Sequence, residues 1–431
     1  MMTDYIPTTL RFLLASRQCE LNSLGCLLDS GELVGKVSVL IHHLQRERGT
    51  VNLFLCSEGR QTAADLRHRE QDSLLSQQDL MHYLDNTQAL DPGQPQASRL
   101  FHCAARAVYA LGVLQEIRQQ ITGRAASLVA AVEVFNDTIR HLLSLVFAVS
   151  DASADPAISR ALIALFSFMQ GKELAGQERA IGVRIFSGHM PEDEDDHPAG
   201  QIISLIERQE HYFTTFIEFS DPDNRHRWLK MVPDSEFERL RRIACTRSSL
   251  SGNSDVSQHW FLLATRRIDT MKQLEDHLQH TLMQLCRERI LSTQRACDEQ
   301  QADINSLKTT MADGFSGYSV FMEHSSPGAH RHGGWLQSEG VQPQLGQSLL
   351  SLLRQQSQRL DAQNQELTDL REVLHQRKTV DSAKKLLMQH RQLTEDEAYK
   401  TLRQMAMDQN KKISDIAAAL LSVAGVFDHP G

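Results

Sequence analysis

Cysteine is sparse in this sequence and forms no pattern. The seven cysteines, at 19, 26, 56, 103, 245, 286 and 297, are odd in number and include no CxxC. That argues against a disulfide framework or a zinc finger and fits a reducing compartment. No apolar run approaches the roughly 18 residues of a membrane-spanning helix. The opening MMTDYIPTTLRFLLASRQCE lacks a basic start followed by an apolar region, so no signal peptide is expected. The chain is therefore predicted to be cytoplasmic, with no membrane partner. Aromatic residues make up only 6%, β-branched runs are scarce, and Gly and Pro are few. Such a composition suits long helices better than sheets. Also missing are HExxH, a phosphate-binding glycine loop, GxSxG and an acid–base constellation, so neither an enzyme nor a cofactor is expected.

The net charge of −9 excludes a protein that coats polyanions over its whole surface, yet the charge is uneven. Between Arg377 and Lys412 nine Lys and Arg face five Asp and Glu, a local +4 that leaves −13 on the rest. An acidic body with a basic end suggests local polyanion binding.

Helical periodicity runs through most of 33–310, broken by loops such as ALDPGQPQAS, SDASADPA and SGHMPEDEDDHPAG. The acidic PEDEDDHP reads as a solvated connector. From about Met311 the pattern fails in a stretch rich in Gly, Ser and Pro, which predicts a linker. His330 and His332 there lack a third ligand, so no metal site is expected. Beyond it Leu353, Leu360, Leu367 and Leu374 recur every seven residues, with Leu349, Gln356, Gln363 and Leu370 between them. This four-heptad seam predicts a coiled coil between two chains, hence a homodimer. Packing of one helix against the first domain is the other reading.

Two arginines fall where apolar residues belong. The stripe Val37, Ile41, Leu44, Val51, Leu55 passes through Arg48. A second stripe, Ile158, Leu162, Leu165, Met169, Lys172, Gly176, Val183, passes through Arg179. The local strings RERG (46–49) and QERA (177–180) match. An inward guanidinium needs a negative partner, because its lost hydration is otherwise not replaced. Glu47, Glu173, Glu178 or a carboxylate of another helix could provide a structural ion pair. A small planar oxyanion bound inside a helical bundle would serve as well.

These helices, RERG followed downstream by KELAGQERAIG, resemble the nitrate- and nitrite-sensing (NIT) family over about residues 35–300. The resemblance implies an all-α sensor of two up-and-down four-helix bundles binding nitrate or nitrite between long helices. Arg48 and Arg179 match its motifs. Lys172, Arg239, Arg242 and Arg267 are secondary candidates, as is Arg241 in EFERLRRIA.

Near the end, Thr394 and Glu397 form a capping box. Ala398, Leu402, Met405 and Ala406 make one buried face, and Ile416, Ala417, Leu420 and Leu421 another. Asn410 and Ser414 bound the turn between them. VDSAKKLLMQHR adds a third short helix with Leu387 and Met388 inward. Lys384, Lys385, Arg403, Lys411 and Lys412 are left as phosphate contacts, and Tyr399 as a platform for an exposed base. The pair of helices also permits a DNA-binding helix-turn-helix, but its second helix, SDIAAALLSVAG, has no Arg, Lys, Asn or Gln to read base edges.

AKKLLMQHRQLTEDEAYKTLRQMAMDQNKKISDIA resembles the ANTAR family of three-helix RNA-binding domains, through Ala383-Lys384, Leu387-Met388, Glu397-Ala398-Tyr399, Leu402-Arg403, Ala406-Met407 and Ile416-Ala417. Together the two resemblances imply a nitrate- or nitrite-responsive transcription antiterminator that binds leader-RNA hairpins and prevents a terminator from forming. The expected order is a sensor at 1–315, a linker at 316–346, a coiled-coil helix at 347–376 and the ANTAR domain at 377–431. A DNA-binding regulator sensing a small anion is the alternative. A purely structural adaptor would leave the core-stripe arginines and the basic end unexplained.

Overall fold

The computed structural model describes residues 5–56, 63–86, 97–123, 125–150, 155–188, 198–246, 254–311, 318–322 and 334–338. Toward the end it describes 357–358, 361–362, 364–368, 379–380, 382–384, 386–387, 393, 395–409 and 411–427. Among the described residues nine helices come first: α1 (Tyr5–Cys56), α2 (Ala63–Asn86), α3 (Ala97–Thr122), α4 (Leu128–Ser150), α5 (Pro156–Ser187), α6 (Pro198–Phe219), α7 (Pro222–Leu229), α8 (Ser235–Thr246) and α9 (Ser254–Met311). A hairpin of β1 (Tyr318–Met322) and β2 (Gly334–Ser338) follows, then α10 (Glu395–Asp408) and α11 (Ile413–Phe427). The fold class is all-α, with the hairpin as the exception among the described residues.

The chain divides into two compact units, Met1–Asp29 with Met283–Glu366 and Ser30–Leu282 with Leu367–Gly431. The first contains the hairpin, paired antiparallel with Tyr318 opposite Ser338 and Phe321 opposite Trp335. It lies where a linker without regular structure is expected. The segments YSVFM and GWLQS carry the aromatic and β-branched residues that strands favour, and the surrounding Gly, Ser and Pro mask that signal.

In the second unit, α1 contacts each of α2, α3 and α4: Lys36 pairs with Asp79, Glu47 with Arg118, and Arg48 donates to Asn136. Helix α5 contacts α6, α8 and α9 in turn, through Glu178 to Gln209, Arg241 and Arg267. Both α1 and α5 are buried around almost their whole circumference, over 40–56 and 158–186. A helix enclosed in this way needs apolar or internally paired residues on every face. All the stripe residues are indeed buried except Leu55, which is half-buried.

Helix α5 starts at Asp155, whose carboxylate accepts from the amides of Ala157 and Ile158, and Pro156 occupies the first turn. That arrangement satisfies donors a helix start leaves open. Around α5, Phe168 meets Phe216 and Trp228 edge-on at 5.0 and 5.5 Å. Trp260 stacks on Phe237 at 5.1 Å and donates through Nε1 to the Arg179 carbonyl at 3.0 Å. Each aromatic pair contributes about 0.5–1.5 kcal/mol beyond burial. Among the described residues no helix is long and apolar enough to cross a membrane.

The C-terminal helices have their own core of Ala383, Leu387, Ala398, Leu402, Ala406, Ile416 and Ala417. Met405, Leu420 and Leu421 pack against it half-buried. These are the faces the sequence predicts. Thr394, Met388 and Asn410 lie outside the described residues, as do the heptad positions other than Leu367, which is buried within a helical segment.

Candidate functional site

Arg48, on α1, is fully enclosed. Its Nη1 donates to Glu173 Oε1 and Asn136 Oδ1, each at 2.5 Å, and its Nη2 reaches Glu173 Oε2 at 3.3 Å. Two amides steady that carboxylate from other sides: Gln45 Nε2 and Gln177 Nε2 both donate to Glu173 at 2.9 Å. Arg48 Nε has no hydrogen-bond partner among the described residues. The helix-to-helix seam is tight. A Cβ on Gly176 would stand 2.5 Å from Arg48 Nη2, so only glycine leaves room for the guanidinium.

Arg179, on α5, is the converse case. It is 1% exposed, and a Cβ on Gly49 of α1 would meet its Nη2 at 2.5 Å. Its Nη1 donates to Thr265 Oγ1 at 2.8 Å and its Nη2 to the Gln45 carbonyl at 2.5 Å. Phe261 lies beneath the guanidinium at 5.2 Å. Its Nε is unpartnered, and no carboxylate among the described residues stands within ion-pair distance. Burial, and next the positive charge of Arg48, pull its pKa well below the ordinary guanidinium value; Asp269 and Glu173 only partly oppose this. Of the two buried guanidinia only Arg48 contacts a carboxylate, so the pair with Glu173 is one negative charge short of neutral.

The other two candidate counterions are engaged elsewhere. Glu47 forms a two-pronged pair with Arg118 of α3, at 2.7 Å on both arms. Glu178 accepts from Arg241 of α8 at 2.7 and 3.1 Å and from Gln209 of α6 at 2.7 Å, with Arg267 of α9 at 3.5 Å. In each ER motif, then, the glutamate braces its own set of helices and the arginine crosses to the glycine of the facing helix. Arg118 carries the same sequence signal as Arg48. It lies in the stripe Leu111, Leu114, Arg118, Ile121, which the reading of the sequence passed over.

The secondary candidates do not converge on the pair. Arg239 is exposed and bonded to Glu236, and Arg242 is exposed. Arg267 belongs to the Glu178 brace. Lys172 is fully buried and ion-paired, with Nζ 2.7 Å from Glu275 Oε2. Two turns along α5 from Arg179, at about 1.5 Å of rise per residue, it sits about 10 Å down the helix. Ser38 and Lys272 complete this lower layer, with Ser38 donating to Glu275 at 2.5 Å and Lys272 to Ser38 at 2.5 Å. Burial lowers the Lys172 pKa, while Glu275 opposes that.

At the C-terminal end, Tyr399, Arg403 and Met407 follow one another at four-residue spacing on the exposed face of α10. Lys411 and Lys412 are exposed in the turn that follows, where the Lys411 amide donates to the Ala406 carbonyl at 3.0 Å. Lys384 is half-buried. Lys385 lies outside the described residues. An aromatic ring, a thioether and adjacent cations on one face can stack a base and neutralise phosphate.

Comparison with known proteins bears on both regions. Residues 39–283 match the family described as nitrate and nitrite sensing, and 368–421 match the ANTAR domain. The nitrate regulatory protein of Klebsiella oxytoca is 31% identical over 428 residues, spanning 99% of this chain and 98% of that protein. The solved structure of the NasR transcription antiterminator is 28% identical, with a TM-score of 0.58 over 99% of each chain.

Proposed function

The chain belongs to the nitrate and nitrite sensing family and ends in an ANTAR domain, and from that premise we propose that nitrate or nitrite binds between α1 and α5 at Arg48 and Arg179. It is a nitrate-responsive transcription antiterminator, a regulator and not an enzyme. The observation that carries the binding site is Arg179: a buried guanidinium with a free N–H and, among the described residues, no contacting carboxylate. A planar monoanion supplies the missing charge and matches the guanidinium geometry. No other cofactor is required.

The output is RNA. Helix α11 carries no Arg, Lys, Asn or Gln for a DNA base edge, and its one charged residue is Asp415. Tyr399, Arg403, Lys411 and Lys412, with Lys384 and Lys385, bind a leader RNA of paired stem-loops in the cytoplasm and keep the terminator hairpin from forming. The sensor at 1–315 acts through the linker at 316–346 and a coiled-coil helix at 347–376 on the ANTAR domain at 377–431. The heptads join two chains into a homodimer. A tenfold effect of nitrate on RNA affinity needs about 1.4 kcal/mol of coupling, and RNA tightens nitrate binding by the same factor.

The test is calorimetric titration with nitrate, nitrite, chloride and sulfate, beside a folded Arg179→Met variant. Saturable nitrate or nitrite binding that the variant loses is the expected result. Absence of binding in the parent protein would return both arginines to a purely structural role.

A further inference from the structure

The geometry points to Glu173 as an internal competitor for the site, a tethered carboxylate that the incoming anion displaces from Arg48; this rests on the proposed binding of nitrate or nitrite between α1 and α5. A carboxylate is itself a flat, delocalised monoanion, and Glu173 engages Arg48 as such a ligand engages a guanidinium, with one oxygen on each terminal nitrogen at 2.5 and 3.3 Å. The three charged groups are enclosed, and Asn136 and Gln177 beside them are half-buried. Arg48 is 0%, Arg179 1% and Glu173 4% exposed, so an anion reaching Arg48 must replace an existing contact.

The neighbours of Arg48 limit which contact yields. Arg48 Nη2 already fills the space above Gly176, which closes that side. Asn136 is neutral and accepts only through its amide oxygen. Glu173 is the one group of the same charge and shape as the ligand. It also has somewhere to go, because Gln45 Nε2 and Gln177 Nε2 each hold it at 2.9 Å independently of Arg48. Glutamate 173 and Gln177 lie on α5, whereas Arg48 and Gln45 lie on α1. Exchange of Glu173 for a free anion therefore removes a direct tie between the two central helices at the point where the ligand arrives. Gln45 registers the exchange twice, since its backbone carbonyl holds Arg179 Nη2. The tethered group lowers the apparent affinity by the fraction of time it occupies Arg48, and it converts occupancy into a change of helix contacts.

The experiment is nitrate titration of the full chain by calorimetry, with Glu173→Gln and Glu173→Asp beside the parent. Glu173→Gln removes the competing charge while keeping the shape, and nitrate should bind at least tenfold tighter with unchanged stoichiometry. Glu173→Asp keeps the charge, draws it back by one methylene, and should also tighten nitrate, by less; it serves where the glutamine variant does not fold. Loss of a merely structural ion pair would weaken binding, so the direction of the change decides. A folded variant that binds nitrate no tighter than the parent overturns the assignment. Silence of the parent and both variants toward nitrate and nitrite overturns the binding site itself, a distinct result.

Discussion

Arg179 occupies the space that a side chain at Gly49 would need, and Arg48 stands in the same relation to Gly176 on the opposite helix. Each guanidinium is therefore seated by the absence of a methyl group 2.5 Å away.

Gly49→Ala or Gly176→Ala should push the facing arginine out of position. Overpacking costs about 1–3 kcal/mol, offset by up to about 1 kcal/mol of helix propensity. The expected outcome is a stability loss of about 1–2 kcal/mol in chemical unfolding and a tenfold or greater loss of nitrate affinity. Nitrate binding that survives both substitutions would separate the glycines from the site.

The Glu47–Arg118 pair is nearly inaccessible to water. Removing one partner leaves a buried charge, at a cost of about 3–5 kcal/mol, whereas removing both costs less than the sum. A cycle of Glu47→Gln, Arg118→Met and the double variant, followed by urea unfolding, should show that coupling. Strict additivity of the two single effects would mean the pair is relaxed in solution.

Acid should weaken the fold through His42. Burial, then the charges of Lys172 and Lys272, hold its pKa down to about 2 from 6.5, with Glu275 opposing. The folded state keeps the ring neutral while the unfolded chain takes up a proton below pH 6.5, so stability falls as pH falls. The slope is about 1.4 kcal/mol per pH unit, or about 2 kcal/mol by pH 5. Glu275 acts lower: burial raises its pKa, but Lys172 and Lys272 outweigh this and hold it at about 2. Its stabilising contribution is present above pH 4.5 and is lost as pH falls toward 2. Urea unfolding at pH 7 and pH 5 should show a smaller drop for His42→Gln than for the parent; equal drops would clear His42.

On the proposed RNA face, Arg403→Ala and Lys411→Ala should weaken leader-RNA binding and each reduce the salt dependence by about one unit of log–log slope. Tyr399→Leu should cost about 1–3 kcal/mol with the slope unchanged, because stacking releases no counterions. Filter binding across a salt series distinguishes the two classes. A variant pair with parental affinity throughout would place the RNA on another face.

Much of this arrangement was legible as periodicity. The stripes through Arg48 and Arg179 are buried as spaced, and the small C-terminal core is the predicted one. Periodicity reports which face of a helix is enclosed, not what it meets. That Glu173 turns to Arg48 while Glu47 and Glu178 turn away depends on how the helices pack. Lys172 was correctly placed on a stripe, but its partner Glu275 belongs to a helix 103 positions later. In EFERLRRIA the failure was angular. Arg239 and Arg242 share an outward face and Arg241, between them, points inward to Glu178. The hairpin at 318–338 was hidden by the turn-forming residues around its short strands.

The crossed seating of Arg48 over Gly176 and Arg179 over Gly49 gives neither α1 to α4 nor α5 to α9 a complete arginine pair of its own. Each half holds one cation and the vacancy for its counterpart, as two torn pieces hold the two edges of one tear. Ancestry aside, such a receptor cannot be shortened to one half, and fragments divided between α4 and α5 should bind nitrate only when reunited. A drifting mutation on either half is felt by both.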